Sequence, residues 1–235
     1  MARKHVGPLL ALAQHAEITG VGWRSLSRFY DALPSDLTGL RVLDICAGMS
    51  DCAFRLRERG AEAYAVDLAY ADLESMYARH RRSFEVTAAN VFKVAPGSPR
   101  AGELYQTFVA GFEAGLRSHP SMYVAASATA LPFPSESFDF AVSFNGIFGT
   151  LDFDAGVLSA ALGEAIRVTR PGGTVQLVPY LEGPVLDDLE RSHQRAAIEA
   201  LKAVHGIAMS DAVARSEALL GGGIGRLTIV KNGRS

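Results

Sequence analysis

The sequence predicts a single α/β domain built on a doubly wound, mixed sheet, and three observations lead to this prediction. Short apolar runs that suit buried strands alternate along the chain with segments of helical period. The first run enters a turn of small residues that opens a helix, as in nucleotide-binding α/β folds. The 235 residues are 49% hydrophobic, which supplies the core of one domain of this size.

The small-residue turn follows the first predicted strand, residues 42–45, and is typical of a ligand-binding loop. Residues 46–48, with the sequence Cys-Ala-Gly, allow a ligand to approach the backbone closely. Ser50 or Asp51 is expected to cap the helix that follows. The acids Asp44 and Asp51 argue against a bound pyrophosphate, and the chain also lacks the G-x-x-x-x-G-K-S/T motif.

A carboxylate ends the second predicted strand, residues 63–67. Asp67 lies nineteen positions beyond Gly48, a spacing that places an acid on ribose hydroxyls at the tip of a second strand. Taken alone, the turn is also explained by close packing, and the acid by helix capping. Their order and spacing together favour a nucleoside site.

Four blocks of sequence, in order, resemble those of the class I S-adenosylmethionine-dependent methyltransferases: residues 42–48, 65–67, 128–139 and 164–173. The last two are the specific ones, because the family patterns D-A-x-x-L-P-F-x-x-x-x-F-D and E-x-x-R-V-L-x-P-G-G recur there. The resemblance spans roughly residues 40–180. It implies the class I methyltransferase fold, a Rossmann-like, doubly wound mixed sheet of seven strands in one domain over residues 1–235.

The chain departs from the family pattern at three positions. The first motif usually reads D-x-G-x-G-x-G, but Cys46 and Ser50 replace its first and third glycines. Both residues must avoid a positive φ or bear its cost. Ser127 replaces the acid that usually accepts a hydrogen bond from the adenine amino group, and a hydroxyl can also accept one. These changes predict weaker cofactor binding without a change of fold.

The resemblance implies S-adenosylmethionine as the cofactor and S-adenosylhomocysteine as its product. The residues of the first motif are expected to shape the pocket for the methionine part. Asp67 is expected to hold the ribose hydroxyls, Leu68 to pack on adenine, and Ser127 to face the adenine edge. The implied cofactor residues are Asp44, Cys46, Ala47, Gly48, Asp67, Leu68, Ser127, Ala128 and Asn145.

An amino-terminal helical cap is predicted over residues 1–38, with helices at 6–14 and 23–33. In the family, such a cap closes over the cofactor and lines the substrate cavity. Trp23, Phe29 and Tyr30 suit an aromatic wall there. Their alternative role is to pin the cap to the domain.

A helical insert is predicted after the second strand, over residues 78–121, with helices at 71–82 and 101–117. Apolar residues recur along the second helix at helical spacing: Leu104, Tyr105, Phe108, Val109, Phe112 and Leu116. We expect this stripe to pack on the sheet as a crossover helix. A homodimer contact through this insert or the cap, or a lid, are the alternatives.

The remaining elements follow the family order. The predicted strands and helices, in sequence, are a third strand at 122–127, a fourth at 138–144, a helix at 155–170, a fifth strand at 174–179, a helix at 186–204, and closing strands at 207–213 and 227–231. The antiparallel closing pair is the feature that distinguishes methyltransferases from the dehydrogenase form of this fold.

Charge and composition narrow the classes of partner. The formal net charge of −2 gives no electrostatic footprint for nucleic acid, and the basic cluster 79–82 suits a solvated helix end. The sequence has no apolar run of roughly 18 residues, so we expect neither a membrane span nor a membrane partner. We expect a cytoplasmic location. Cys46 and Cys52 lack metal-ligand spacing, which favours two reduced thiols and no metal site.

The expected reaction is methyl transfer to a small-molecule acceptor, with oxygen or nitrogen favoured over carbon or sulfur. A peptide or protein acceptor, or a protein that binds the cofactor without transferring methyl, are the alternatives. The loop after the fourth strand lacks the N-P-P-Y or D-P-P-Y tetrapeptide of the family members that modify bases and amides, which argues against DNA adenine or glutamine side chains as acceptors. A general base is needed only for a protonated acceptor. The weak candidates, each better explained as structural or exposed, are Asn145, Tyr180, Glu182, Tyr30 and His15.

Overall fold

A computed structural model describes residues 30–90, 93–148, 154–178, 188–205, 207–216 and 222–232. The predicted cap lies outside these residues apart from its end. Within that end, residues 31–33 form a turn and a bend and do not continue the predicted helix 23–33. Every helix in the described ranges is too short or too polar to span a bilayer.

The sheet has seven strands, and its order confirms the predicted doubly wound, mixed architecture. The strands are β1 (Arg41–Ile45), β2 (Glu62–Val66), β3 (Tyr123–Val124), β4 (Phe138–Phe144), β5 (Thr169–Val178), β6 (Ala208–Ser216) and β7 (Gly222–Val230). They lie in the order β3-β2-β1-β4-β5-β7-β6. The first five are parallel, whereas β7 pairs antiparallel with both β5 and β6. The closing pair is therefore the one that the resemblance implied.

Helices cover both faces of the sheet. The α-helices are α1 (Cys52–Glu58), α2 (Leu73–Asn90), α3 (Pro99–Ser118), α4 (Ala155–Val168) and α5 (Asp188–His205), with short 3₁₀ helices at Leu68–Ala71 and Pro120–Met122. Leu43 and Ile45 of β1 pack in a core with α4 and α5. Val42 points to the opposite face and packs with α1. This alternation explains why the run 42–45 is apolar almost throughout, because a central parallel strand is buried on both sides.

Several element boundaries differ from the prediction: α2 extends to Asn90 instead of ending at residue 82, and β7 begins at Gly222 instead of residue 227. The strand β3 contains only two residues, where residues 122–127 were expected to be extended. The helix α4 ends at Val168, and β5 begins at once at Thr169, so the Pro-Gly-Gly segment belongs to the strand. The reason is long-range pairing: the amide of Gly172 donates to the carbonyl of Lys231 at 2.7 Å.

The helices α2 and α3 lie in the predicted insert and form a third cluster, the aromatic cluster, beside β3. Its buried members are Met49, Met76, Phe84, Ala88, Tyr105, Val109 and Phe112. The predicted stripe of α3 is rotated, because Phe108 is 36% exposed while Ala101 and Gly115 are buried. The α3 helix packs against α2, against the start of α1 and, through Phe112, against Tyr123 of the edge strand β3.

Candidate functional site

The carboxyl ends of four neighbouring strands meet at one edge of the sheet. The register pairs Ile45 with Val66 across β1 and β2, and Val66 with Val124 across β2 and β3. The strand β4 lies on the other side of β1. The turn 46–48 and the residues Asp67, Ser127 and Asn145 therefore project from the same edge, where open α/β sheets bind their ligands.

The turn after β1 accommodates its two missing glycines in different ways. Cys46 has a φ of 55°, so it adopts the left-handed conformation and bears a cost of roughly 1 kcal/mol. A Cβ on Gly146 would collide with the Cβ of Cys46, so the bare glycine leaves room for the thiol side chain. Ser50 avoids a positive φ. Its hydroxyl accepts a hydrogen bond from the Cys52 amide at 3.0 Å, which helps to start α1.

Asp67 caps the short 3₁₀ helix and also contacts the turn. Its Oδ1 accepts from the Ala69 amide at 2.8 Å, and its Oδ2 accepts from the Gly48 amide at 2.9 Å. Burial raises the pKa of this carboxyl, and the hydrogen bonds from the two backbone amides oppose that shift. Each carboxylate oxygen can accept a second hydrogen bond, so capping leaves acceptor capacity for hydroxyl donors.

Asp44 is a buried acid beneath the turn. Its side chain is 2% exposed, and its Oδ2 has no hydrogen-bond partner in the described part of the chain. Burial, opposed by a hydrogen bond with Cys52 and reinforced by the charges of Asp67 and Asp51, raises the pKa of Asp44 to about 8. Its unpaired oxygen suits a cationic group, because a buried carboxylate is stabilised by an opposite charge.

The predicted adenine residues lie at the same edge. Leu68 is 67% exposed, an unusual position for a leucine, so its side chain is available to a flat apolar ligand. Ala128 is buried in the core. The Ser127 hydroxyl accepts from the Thr129 amide at 3.2 Å and shares a hydrogen bond with the Thr129 hydroxyl at 2.8 Å.

The E-x-x-R motif holds the loop that follows Ser127, a role that sequence reasoning missed. Glu164 accepts from the Leu131 amide at 2.7 Å and pairs with Arg167 at 2.6 Å. Arg167 also donates to the carbonyls of Leu131 at 3.1 Å and Phe133 at 2.9 Å. The fixed spacing of Glu164 and Arg167 in the motif was the available signal for this clamp.

Two of the five catalytic candidates, Asn145 and Tyr30, lie in the described part of the chain. Asn145 lies at the tip of β4 with a φ of 53°, and its backbone amide donates to the Val178 carbonyl at 2.6 Å. Tyr30 is 2% exposed beside Asp44 and Cys52, and burial raises its pKa well above the ordinary value, so it keeps its proton near neutral pH. His15, Tyr180 and Glu182 lie outside the described residues. In the described part of the chain, no three His, Cys, Asp or Glu residues converge as a metal site would require.

Comparison with known proteins gives a consistent family. A model described as a methyltransferase domain matches residues 102–177. The ubiquinone/menaquinone biosynthesis C-methyltransferase UbiE of Xanthomonas campestris is 30% identical over 159 residues, covering 68% of this chain and 49% of that protein. The protein of the same name from Paracoccus denitrificans is 31% identical over 150 residues, covering 63% of this chain and 45% of that protein. The chain thus spans about half the length of the curated relatives it matches.

Two solved structures share the fold at low sequence identity. The PH0226 protein of Pyrococcus horikoshii has a TM-score of 0.50 and 17% identity, covering 89% of this chain and 87% of that chain. The cyclase SpnF has a TM-score of 0.52 and 17% identity, covering 98% of this chain and 94% of that chain. These two structures show the fold alone. The methyltransferase-domain match and the UbiE relatives, together with the sheet order and the four sequence blocks, show that the chain belongs to the class I S-adenosylmethionine-dependent methyltransferase family.

Proposed function

We propose that this protein transfers the methyl group of S-adenosylmethionine to a small-molecule acceptor. The observation that carries the proposal is the meeting of an unpaired buried acid, Asp44, with a second acid, Asp67, around one turn at the carboxyl edge of the sheet. Both acids belong to sequence blocks that resemble the family. Family membership and the similarity to methyltransferases named for their reaction support the same activity.

The described residues fit this cofactor at three points. A cationic group beside Asp44 would lower the raised pKa of this acid, so that the ionised carboxylate pairs with the ammonium group of the cofactor. The Asp67 oxygens keep acceptor capacity for ribose hydroxyls, and the exposed Leu68 side chain offers an apolar surface to adenine. Ser127 and Ala128 lie beyond the tip of β3, where the edge of the base would lie if Asp67 held the ribose.

The chemistry asks little of the protein beyond orientation. The cofactor, when bound, supplies an activated methyl group and a neutral leaving group. The contribution of the chain is to hold donor and acceptor in line and to exclude water. We assign acceptor positioning to Asn145, because its strained backbone fixes the side chain at the tip of β4, next to the β1 turn.

The accepting atom is the least constrained part of the proposal. The sequence-based preference for oxygen or nitrogen gains no support from the relatives, which are named C-methyltransferases. We therefore propose carbon on equal terms with oxygen and nitrogen. A cyclase among the structures of the same fold shows that this architecture also occurs in a protein named for another reaction, so transfer itself must be tested.

The decisive experiment uses S-adenosylmethionine with an isotopically labelled methyl group. The purified protein is incubated with panels of phenols, quinols, amines and short peptides, and the products are analysed by mass spectrometry. Transfer to a small molecule supports the proposal, and transfer to peptides alone supports the protein-methyltransferase alternative. Cofactor binding without transfer to any acceptor would remove the enzymatic part, and absence of binding would remove the whole proposal.

A further inference from the structure

Both backbone groups of Gly48 are held by side chains from the segment after β2. The Gly48 amide donates to Asp67, and the Gly48 carbonyl accepts from the Tyr70 hydroxyl at 2.7 Å. Gly48 has a φ of 54°, a conformation that glycine adopts readily, and the two contacts restrain a residue whose backbone is otherwise free to change. Asp67 was predicted to belong to the site, but Tyr70 was not.

Tyr70 is rigidly placed by the aromatic cluster. Its ring stacks on Phe112 of α3 with centroids 6.0 Å apart, and meets Tyr123 of β3 edge-on at 5.5 Å. Met49, the residue after Gly48, is buried in the same cluster. Burial raises the pKa of the Tyr70 hydroxyl well above its ordinary value, so it remains a hydrogen-bond donor at neutral pH.

We propose that Tyr70 is a positioning residue that fixes the cofactor turn and ties its geometry to the packing of α2 and α3. The Tyr70 hydroxyl holds the Gly48 carbonyl while Asp67 holds the Gly48 amide, so the peptide groups on both sides of Gly48 are restrained. Gly48 is the one glycine that this turn keeps of the three usual in the family, and it is the residue that Asp67 and Tyr70 restrain. This inference rests on the proposed function, because it assigns the turn to cofactor binding.

The test removes only the hydroxyl. In Tyr70→Phe, the dissociation constant for S-adenosylhomocysteine, measured by calorimetric titration, is expected to rise about three- to tenfold. Hydrogen exchange of the amides in residues 46–50 is expected to speed up in the free protein. The melting temperature of the free variant should stay within about 3 °C of the parent, because the ring and its packing are kept.

Tyr123→Phe is the matched control. Its hydroxyl lies in the same cluster but donates to the Phe112 carbonyl at 3.4 Å, away from the turn. Unchanged affinity and exchange in Tyr70→Phe, or an equal loss in both variants, would overturn the positioning role. Failure of the parent protein to bind S-adenosylhomocysteine would count against the proposed function, while the exchange measurement on free protein would still decide the role of Tyr70.

Discussion

Two regions at opposite edges of the sheet treat their polar groups in opposite ways. The β1 turn lies at the carboxyl edge, whereas the loop that Glu164 and Arg167 hold leads to the amino end of β4. The β1 turn leaves the Asp44 Oδ2 and the Tyr30 hydroxyl without partners in the described structure and places Cys46 at a positive φ. The loop after Ser127 is instead held by Glu164 and Arg167 through several charge-assisted hydrogen bonds. The contrast suggests that the first region is organised for a ligand and the second for stability, since strain and unpaired polar groups concentrate at functional sites.

The largest expected effect is a pH-dependent gain of stability in Asp44→Asn. The folded pKa of Asp44, about 8, lies above its unfolded value, so its contribution is fully present below pH 4 and is lost as pH rises towards 8. An amide carries no such dependence. The free energy of unfolding of the variant relative to the parent should therefore rise by roughly 2 to 4 kcal/mol between pH 5 and pH 8.

Urea unfolding of both proteins at the two pH values measures this difference and cancels the other titrating groups. The same variant should bind S-adenosylhomocysteine more weakly, because the charge offered to the ammonium group is gone. Lower stability of the variant than of the parent at pH 8 would show that the acid serves the fold. Equal affinity would remove the assignment of Asp44 to the ammonium group. Either outcome would break the contrast between the regions.

Arg167→Ala should destabilise the protein, in contrast to the relative gain of stability expected for Asp44→Asn. The loss of its hydrogen bonds to Glu164 and to two loop carbonyls is expected to cost roughly 2 to 3 kcal/mol of stability. In thermal denaturation this corresponds to a fall of about 5 to 10 °C. Arg100→Ala is the control, since Arg100 pairs with Glu103 on an exposed helix surface, and such pairs contribute about 0 to 1 kcal/mol. Equal effects from the two substitutions would contradict the clamp.

The two regions also differ in how far the sequence predicted them. The positions of Asp67 and Cys46 followed from motif spacing, because spacing along a strand and turn is a local property. The spacing of Glu164 and Arg167 signals that the two side chains act together. The backbone carbonyls that Arg167 and Tyr70 contact were not predictable, because an acceptor distant in sequence leaves no pattern. The rotation of the α3 stripe was missed for a similar reason: periodicity shows that a face is buried, but not which partner, here α2, buries it.

Asp67→Ala separates ribose binding from helix capping. If Asp67 holds the ribose, the affinity for S-adenosylmethionine falls at least about tenfold, or about 1.4 kcal/mol, in a calorimetric titration. The free protein is expected to lose about 1 to 2 kcal/mol of stability, because alanine cannot accept the hydrogen bonds from the Ala69 and Gly48 amides. Asp72→Ala is the comparison variant, because Asp72 also accepts from a helix amide, that of Ser75 at 3.0 Å, but is exposed. Unaltered affinity in Asp67→Ala would remove the ribose assignment.

The smallest expected effect tests whether the strain in the β1 turn matters for binding. Restoring the family glycine in Cys46→Gly relieves the cost of the left-handed φ of 55°. It also removes the packed thiol and raises the conformational entropy of the unfolded chain, so the free energy of unfolding should change by less than about 1 kcal/mol. Affinity for S-adenosylhomocysteine should rise about twofold to threefold, because a bare backbone lets the ligand approach more closely.

Ser50→Gly restores the other family glycine and should behave differently. Ser50 is not at a positive φ, and its hydroxyl accepts from the Cys52 amide, so this change should cost about 1 kcal/mol of stability without a gain in affinity. If both glycine substitutions improved binding equally, the general looseness of the turn would govern affinity. If only Cys46→Gly improved binding, the cysteine at position 46 would be the departure from the motif that weakens affinity. Ser50 would then be a departure without cost, because its hydroxyl helps to start α1.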